Sequence, residues 1–422
     1  MVQDGELHGW KQIADYLDSS VRKAQDDEKK LGLPIRRALG AKGHVIAYRS
    51  ELDEWKARVF ASSVSPPLQP SETPPRRQFA ITSIAIAVTL GGTLTAAGFL
   101  LNQPRDPVSI QADGANLMAL DAKSREVWRH AMPWEMKEDI YKNTSETSAR
   151  RFQFLDLDGY PGPELLAEYM PQRHETLGNF LYAFDRKGEP LWSFKAGKEV
   201  SDKRGSFTPV YWLDPFEVVA SKDGSHLKII ATSHHSVHYP NQVVVLDAQG
   251  KITGEYWHSG HLRRLSTADL DRDGIPEAIL GGANVGWHKA TLVVLDPRNV
   301  SGASTQPPGD PHQLQGFPPG SEKAVVLFPR SCLGKHEEFD IVSQIRVTDN
   351  RITVVVQQSV NEYVGYYLVF ELDWNLNLIT VRPSDTFQAR HREMEVQGLL
   401  DHPYSEAEMA ALKQLKVIRK NR

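Results

Sequence analysis

Four carboxylates in one short stretch are spaced to hold a hard cation. Asp269, Asp271, Asp273 and Glu277 stand at positions 1, 3, 5 and 9 of DLDRDGIPE, with Gly274 at position 6 where the chain must bend. Oxygen ligands on a short glycine-containing loop suit Ca²⁺ better than a transition metal, and such a site outside the cell is expected to be structural. An acidic turn that carries no metal is the plainer alternative. A second copy, Asp156-Leu-Asp158-Gly159-Tyr160, puts a tyrosine where the third carboxylate belongs and is expected to stay empty.

Imidazoles form the other concentration of chemistry. His234, His235 and His238 cluster beside Tyr239, and His258 and His261 follow the next apolar pair of runs. If the two loops meet at one rim, these histidines could take a transition metal or another ligand. A polar rim bonded to backbone is the competing reading. Likewise Trp212, Trp257, Trp287 and Trp374 could line a ligand funnel, although packing between repeats accounts for them as well. The single cysteine, Cys332, rules out an intrachain disulfide framework and any cysteine-based zinc cluster. No nucleophile elbow, HExxH pair or phosphate-cradling glycine loop occurs, so the chain is not expected to be an enzyme.

The elements that must position these residues divide the chain sharply. Residues 79–101, FAITSIAIAVTLGGTLTAAGFLL, carry no charge, and a helix needs about 20 apolar residues to cross a bilayer core. Arg76 and Arg77 before this run, against Arg105 offset by Asp106 after it, orient the N-terminus to the cytoplasm. The chain is therefore expected in the cell inner membrane as a single-pass protein with its larger part periplasmic or extracellular. Residues 61–78 are rich in Pro and Ser and read as an extended tether.

Residues 1–60 read as a small domain. Trp10, Ile13, Ala14, Tyr16 and Leu17 stripe a first helix, and Asp18-Ser19-Ser20 caps a second that begins Val21-Arg22-Lys23. Gly32-Leu33-Pro34 ends it. Two short strands follow around a Gly40–Gly43 turn, then a last helix carries Leu52 and Trp55. On GWKQIADYL, SVRKAQ, GLPIRR and AYRSELDEW, this order resembles the winged helix-turn-helix of the MerR and excisionase families. The resemblance implies that Ser20, Arg22, Lys23 and Gln25 face DNA, with Arg36, Arg37 and Lys42 supporting from the wing; a single domain of this kind would bind weakly, so a homodimer is expected. Asp26-Asp27-Glu28 departs from the pattern, because acids near phosphates repel them. The net charge of −4 also gives no basic footprint to the chain as a whole.

Residues 106–401 repeat one phrase, an apolar run closed by Asp. It occurs at Leu117–Asp121, Leu181–Asp185, Val243–Asp247, Leu292–Asp296 and Leu368–Asp373, several with Gly and Trp following. An Asp can close a turn through its own side chain, so each phrase predicts a strand, a turn and a return strand. Such recurrence predicts an all-β propeller of about five to seven blades. The turns resemble those of quinoprotein-like propellers, and the acidic loop resembles the calcium loops of FG-GAP and VCBS repeats. That second resemblance implies a ligand set of Asp269, Asp271, Asp273, the Ile275 carbonyl and Glu277. Residues 402–422 change period: Ser405 and Glu408 make a capping box, and Met409, Leu412, Leu415 and Ile418 share a helical face.

The whole predicts a membrane-anchored one-component transcription regulator, whose outer domain senses a ligand or protein and whose inner domain binds DNA. A surface adhesion or scaffold protein whose small domain makes protein contacts is the alternative, and a quinoprotein-like enzyme a third.

Overall fold

The computed structural model describes residues 6–17, 21, 24–25, 28, 33–37, 45–49, 51–52, 106–138, 151–160, 162–172, 177–221, 227–334, 340–358, 365–400 and 402–420. The tether and the uncharged run at 79–101 lie outside them. Among the described residues no helix is long and apolar enough to cross a membrane. The chain divides into two compact units, Met1–Gly91 and Gly92–Arg422.

In the first unit, β1 (Glu6–His8) leads into α1 (Gly9–Tyr16), and β2 (Arg36–Arg37) and β3 (Val45–Tyr48) complete a sheet of order β1-β3-β2. The helix and the two paired strands fall where the sequence puts the first helix and the wing. Strand β1 was not anticipated. Ile13 and Ala14 of α1 are buried with Leu7, Ala24, Leu33, Val45, Ala47 and Leu52, a core that this unit makes for itself.

Among the described residues, the second unit is built mainly of antiparallel sheets. The first sheet is β4 (Ser109–Asp113), β5 (Asn116–Leu120) and β6 (Glu126–Ala131); the second is β7 (Phe152–Leu155), β8 (Glu164–Tyr169), β9 (Phe180–Phe184) and β10 (Pro190–Lys195). A small hairpin, β11 (Val200–Asp202) and β12 (Gly205–Phe207), precedes the third sheet. That sheet is β13 (Tyr211–Ala220), β14 (Leu227–His235), β15 (Pro240–Leu246) and β16 (Ile252–Ser259). The fourth contains β17 (Leu262–Ala268), β18 (Glu277–Asn284), β19 (Lys289–Leu295) and β20 (Ala324–Leu327). The fifth contains β21 (Ile341–Thr348), β22 (Arg351–Gln357), β23 (Tyr367–Leu372) and β24 (Leu378–Pro383).

Alternation along the strands explains how these sheets stack. In β14, Ile229 joins a core shared with the second sheet, while Ile230 joins a core shared with the fourth. In β19, Val293 and Leu295 face back to the third sheet and Leu292 and Val294 face forward to the fifth. Each of these clusters therefore lies between two consecutive sheets, which is how propeller blades pack.

The five Asp phrases occupy equivalent places. Asp121, Asp185, Asp247, Asp296 and Asp373 each follow β5, β9, β15, β19 or β23, and each side chain accepts backbone N–H groups of its own turn, as Asp247 does from Gln249 at 3.1 Å and Lys251 at 2.8 Å. The Gly and Trp of the phrase work across sheets. Trp192 of the second sheet lies against Gly250 of the third and donates to the Ala248 carbonyl at 2.9 Å, and Trp128 of the first lies against Gly188 of the second.

Residues after 384 correct the sequence reading twice. An unanticipated helix, α2 (Asp385–Val396), is capped by Ser384, and it buries Phe387, His391 and Met394. The expected C-terminal helix is only α3 (Glu406–Leu412). Ser405 caps it, but Glu408 turns away from the cap towards Cys332 and His391. Leu415 and Ile418 do not continue that helix, because β25 (Lys416–Arg419) pairs with the outer edge of β20, Val325 opposite Ile418. An open edge of apolar residues offers backbone partners that a short helical tail could not match.

Candidate functional site

Backbone irregularities build a cluster of polar side chains in the second unit. The register shifts between Leu213 and Phe216 in β13, Leu262 and Arg264 in β17, and Val342 and Gln344 in β21. A bulge re-aims the side chain that sits on it. The residues so displaced are Asp214, Arg263 and Ser343, near the starts of three first strands. Asp214, 6% exposed, accepts from Arg263 Nε at 3.2 Å and from His234 Nδ1 at 2.6 Å. Arg264 donates to the Ser343 carbonyl. Close enough to Asp214 to feel its charge is Glu168, buried in β8, which pairs with Arg151 and accepts from Asn179 Nδ2 at 2.6 Å. Burial drives the Glu168 pKa up, against the pull of Arg151 and Asn179.

The five histidines gather beside this cluster. His234 and His261 rings lie 5.3 Å apart, and His235 and His238 stack at 5.3 Å. Ring nitrogens of four of them have local partners. His235 bonds Thr208 through Nε2 at 2.9 Å and accepts the His238 N–H at Nδ1. His261 Nε2 meets the His238 carbonyl at 2.9 Å, and His258, fully buried, faces the Ala283 carbonyl. Burial lowers His235 to about 4 and His258 to about 3, and it lowers His261 as well. These three rings are neutral at physiological pH. Among the described residues, the convergent His, Cys, Asp and Glu groups include none of the five. The rim thus comes together without the geometry of a metal centre. Trp257 is buried between Tyr211 and Phe317, and Trp374 donates to the Thr348 carbonyl, so both serve packing.

The two acidic turns connect β17 to β18 and β7 to β8. Asp269, Asp271 and Asp273 point one carboxylate oxygen each into a common space. Glu277 is turned inward, accepting from Leu270 N–H at 2.8 Å and from Lys323 Nζ at 2.6 Å, and the same ammonium reaches Asp271 at 2.6 Å. Burial works against the charged form of Lys323, but the hydrogen bonds to Asp271 and Glu277 outweigh it and raise its pKa. The second turn repeats the plan: Glu164 accepts from Leu157 N–H at 2.8 Å, and Arg186 bridges Asp158 and Glu164 at 2.9 and 3.1 Å. A side-chain cation thus stands beside both turns. In the first turn the cations are engaged with the same carboxylates that converge, Lys323 with Asp271 and Arg298 with Asp273, so a metal ion at Asp269, Asp271 and Asp273 would compete with both.

Of the residues assigned to DNA, Ser20, Arg22, Lys23 and Lys42 lie outside the described residues. Gln25 is half-buried, and Arg37 pairs in register with Val45. Arg36 is exposed, stacks over Tyr48 at 4.9 Å and forms an ion pair with Glu51.

Sequence reasoning missed Asp214, Arg263, Glu168 and Arg151. The one signal was a pair of carboxylates inside apolar strands, Glu168 in ELLAEY and Asp214 in YWLDPFEVVA.

No protein-family model matches the chain, and no curated protein matches it. Solved structures overlap it partially. The C-terminal domain of Pseudomonas aeruginosa PilY1 is 11% identical over 68% of this chain and 61% of its own, at TM-score 0.36. The Dos1 propeller is 11% identical over 64% and 65%, at TM-score 0.32. Rhamnogalacturonan lyase PL11 of Bacillus licheniformis is 14% identical over 47% of this chain and 37% of its own, at TM-score 0.26. Overlaps of this extent bear neither on activity nor on ligand, and the blade-like fold rests on the strand order and cores above.

Proposed function

We propose that the chain is a membrane-anchored one-component transcription regulator that is not an enzyme. Its second unit is a propeller outside the membrane that binds a ligand or protein, and its first is a cytoplasmic winged helix-turn-helix that binds DNA as a homodimer. The observation that supports this most is the division of the chain at Gly91–Gly92, inside the uncharged run, into two units with separate cores. A tether rich in Pro and Ser and a single span would transmit a change of shape poorly. Dimerisation outside would transmit better, by raising the effective concentration of two DNA modules inside.

The ligand surface in this reading is the bulge-built cluster of Asp214, Arg263 and His234 with the neighbouring rim. Calcium at Asp269, Asp271 and Asp273 is structural.

The Arg36–Glu51 pair favours a second reading, an adhesion or scaffold protein whose small unit contacts protein, because a carboxylate beside the wing opposes a phosphate. Two measurements separate them. Protease added to spheroplasts should degrade the larger unit and spare the smaller; if the larger survives, the membrane reading fails. In a DNA-binding screen of the full-length chain, binding with a steep salt slope that is lost in Arg22→Ala supports the regulator, and no binding at any salt supports the scaffold.

A further inference from the structure

Away from the rim, four side chains of different chemistry converge where α2 and α3 meet the segment after β20. Cys332, His391, His402 and Glu408 each turn one ligand atom inward, and these atoms all lie within 4.8 Å of one another. The thiol of Cys332 donates to Glu408 Oε1 at 2.6 Å, and His402 Nε2 lies 3.8 Å from Glu408 Oε2. His391 is 0% exposed and Cys332 is 8% exposed.

The decisive contact is between His391 and Glu408. His391 Nδ1 meets the Glu395 carboxylate at 2.5 Å and therefore carries the ring proton, which leaves the lone pair on Nε2. That nitrogen points at Glu408 Oε2 from 2.9 Å, and neither atom has a hydrogen-bond partner. Two lone-pair atoms buried face to face repel, and leaving them so is costly. A cation between them removes the conflict. The carboxylate behind the histidine is the arrangement that fixes a metal-binding imidazole in its ligating tautomer.

We propose that Cys332, His391, His402 and Glu408 form a zinc site. Thiolate, imidazole and carboxylate are the ligand types of Zn²⁺, and one thiolate, two imidazoles and one carboxylate make up the four ligands of a closed tetrahedral site. Glu395 is a positioning residue, acting through His391. Binding expels the Cys332 proton to solvent as the thiolate forms. His402, 41% exposed at its side chain, leaves an entry path. The ion has a structural task. Cys332 follows the fourth sheet and α2 follows the fifth, so zinc clasps the helical pair to both and holds the chain in position for β25 to reach β20.

The test uses the full-length chain purified from membranes. It should retain zinc on metal analysis after dialysis, and cobalt in its place should give a thiolate-to-cobalt charge-transfer band. Cys332→Ser should abolish that band. His402→Ala, at the most exposed ligand and so the least harmful to folding, should weaken zinc at least tenfold in chelator competition, with unchanged circular dichroism. Glu395→Gln should weaken it by roughly 10–100-fold. The proposal is overturned if the wild type shows neither retained zinc nor the band. Zinc affinity unchanged in both Cys332→Ser and His402→Ala would overturn it equally.

Discussion

Gly250 carries two constraints at once, and they can be separated. Its φ of +76° is one that residues with a Cβ resist, and a Cβ there would lie 2.5 Å from the Trp192 ring. Gly309 has a similar φ of +81° with nothing within 4 Å. Alanine at either site costs about 1–2 kcal/mol for the backbone. Gly250→Ala should cost more, and the difference between the two denaturation midpoints measures the contact with Trp192. His258 offers a second experiment at this scale. Its pKa falls from 6.5 to about 3 on folding because burial disfavours the imidazolium. The unfolded chain therefore binds the proton first as pH drops, so the stability that the neutral ring allows is complete above pH 6.5 and is lost as pH falls toward 3. Melting temperature should decline across that window, and more shallowly in His258→Gln. Equal slopes in the two proteins would show that His258 does not set the acid limit.

Among the elements, the acidic turns invite a calcium titration. Millimolar calcium should raise the melting temperature of the protein, and Asp269→Ala should remove the rise. Lys323→Ala should strengthen the response, because the ammonium that now neutralises Asp271 would no longer compete. No shift in either the wild type or Lys323→Ala would exclude the ion. These turns were legible in the sequence because their information is local: Asp247 bonds residues two and four positions on, and Asp269 the N–H of Gly274. Strand β25 was not legible, since Val417 and Ile418 fit a helical stripe as well as a strand and only the distant edge of β20 decides between them. Helix α2 was hidden by composition, because DTFQARHREMEV has just three buried residues to mark its face. The rim was half legible. Its histidines stood out, but Asp214 and Arg263 are aimed by bulges, which depend on strand register. Cys332, His391, His402 and Glu408 come together only through tertiary packing, and a lone cysteine argued against the very group it joins.

Seen as a molecule, the chain carries independent cores. Leu52, fully buried, belongs to the small unit's cluster and to no other. Leu52→Ala removes about 2–5 kcal/mol of burial, comparable to the stability of a domain this small. Calorimetry of the full-length protein should show two transitions, with this substitution lowering or erasing the smaller and leaving the larger in place. Movement of both would mean that the units fold as one. In the larger unit, each blade is covered by its neighbours, and Trp128 and Trp192 reach forward onto the next turn, so stability is shared along the series.

Strand β25 has a consequence for biosynthesis. The row Ala324-Val325-Val326-Leu327 is synthesised well before Lys416–Arg419, which covers it. Until translation delivers that partner, a valine-rich edge stays open to any extended segment nearby. Products of premature termination would keep it open, and cellular proteases would meet them as unfinished sheets.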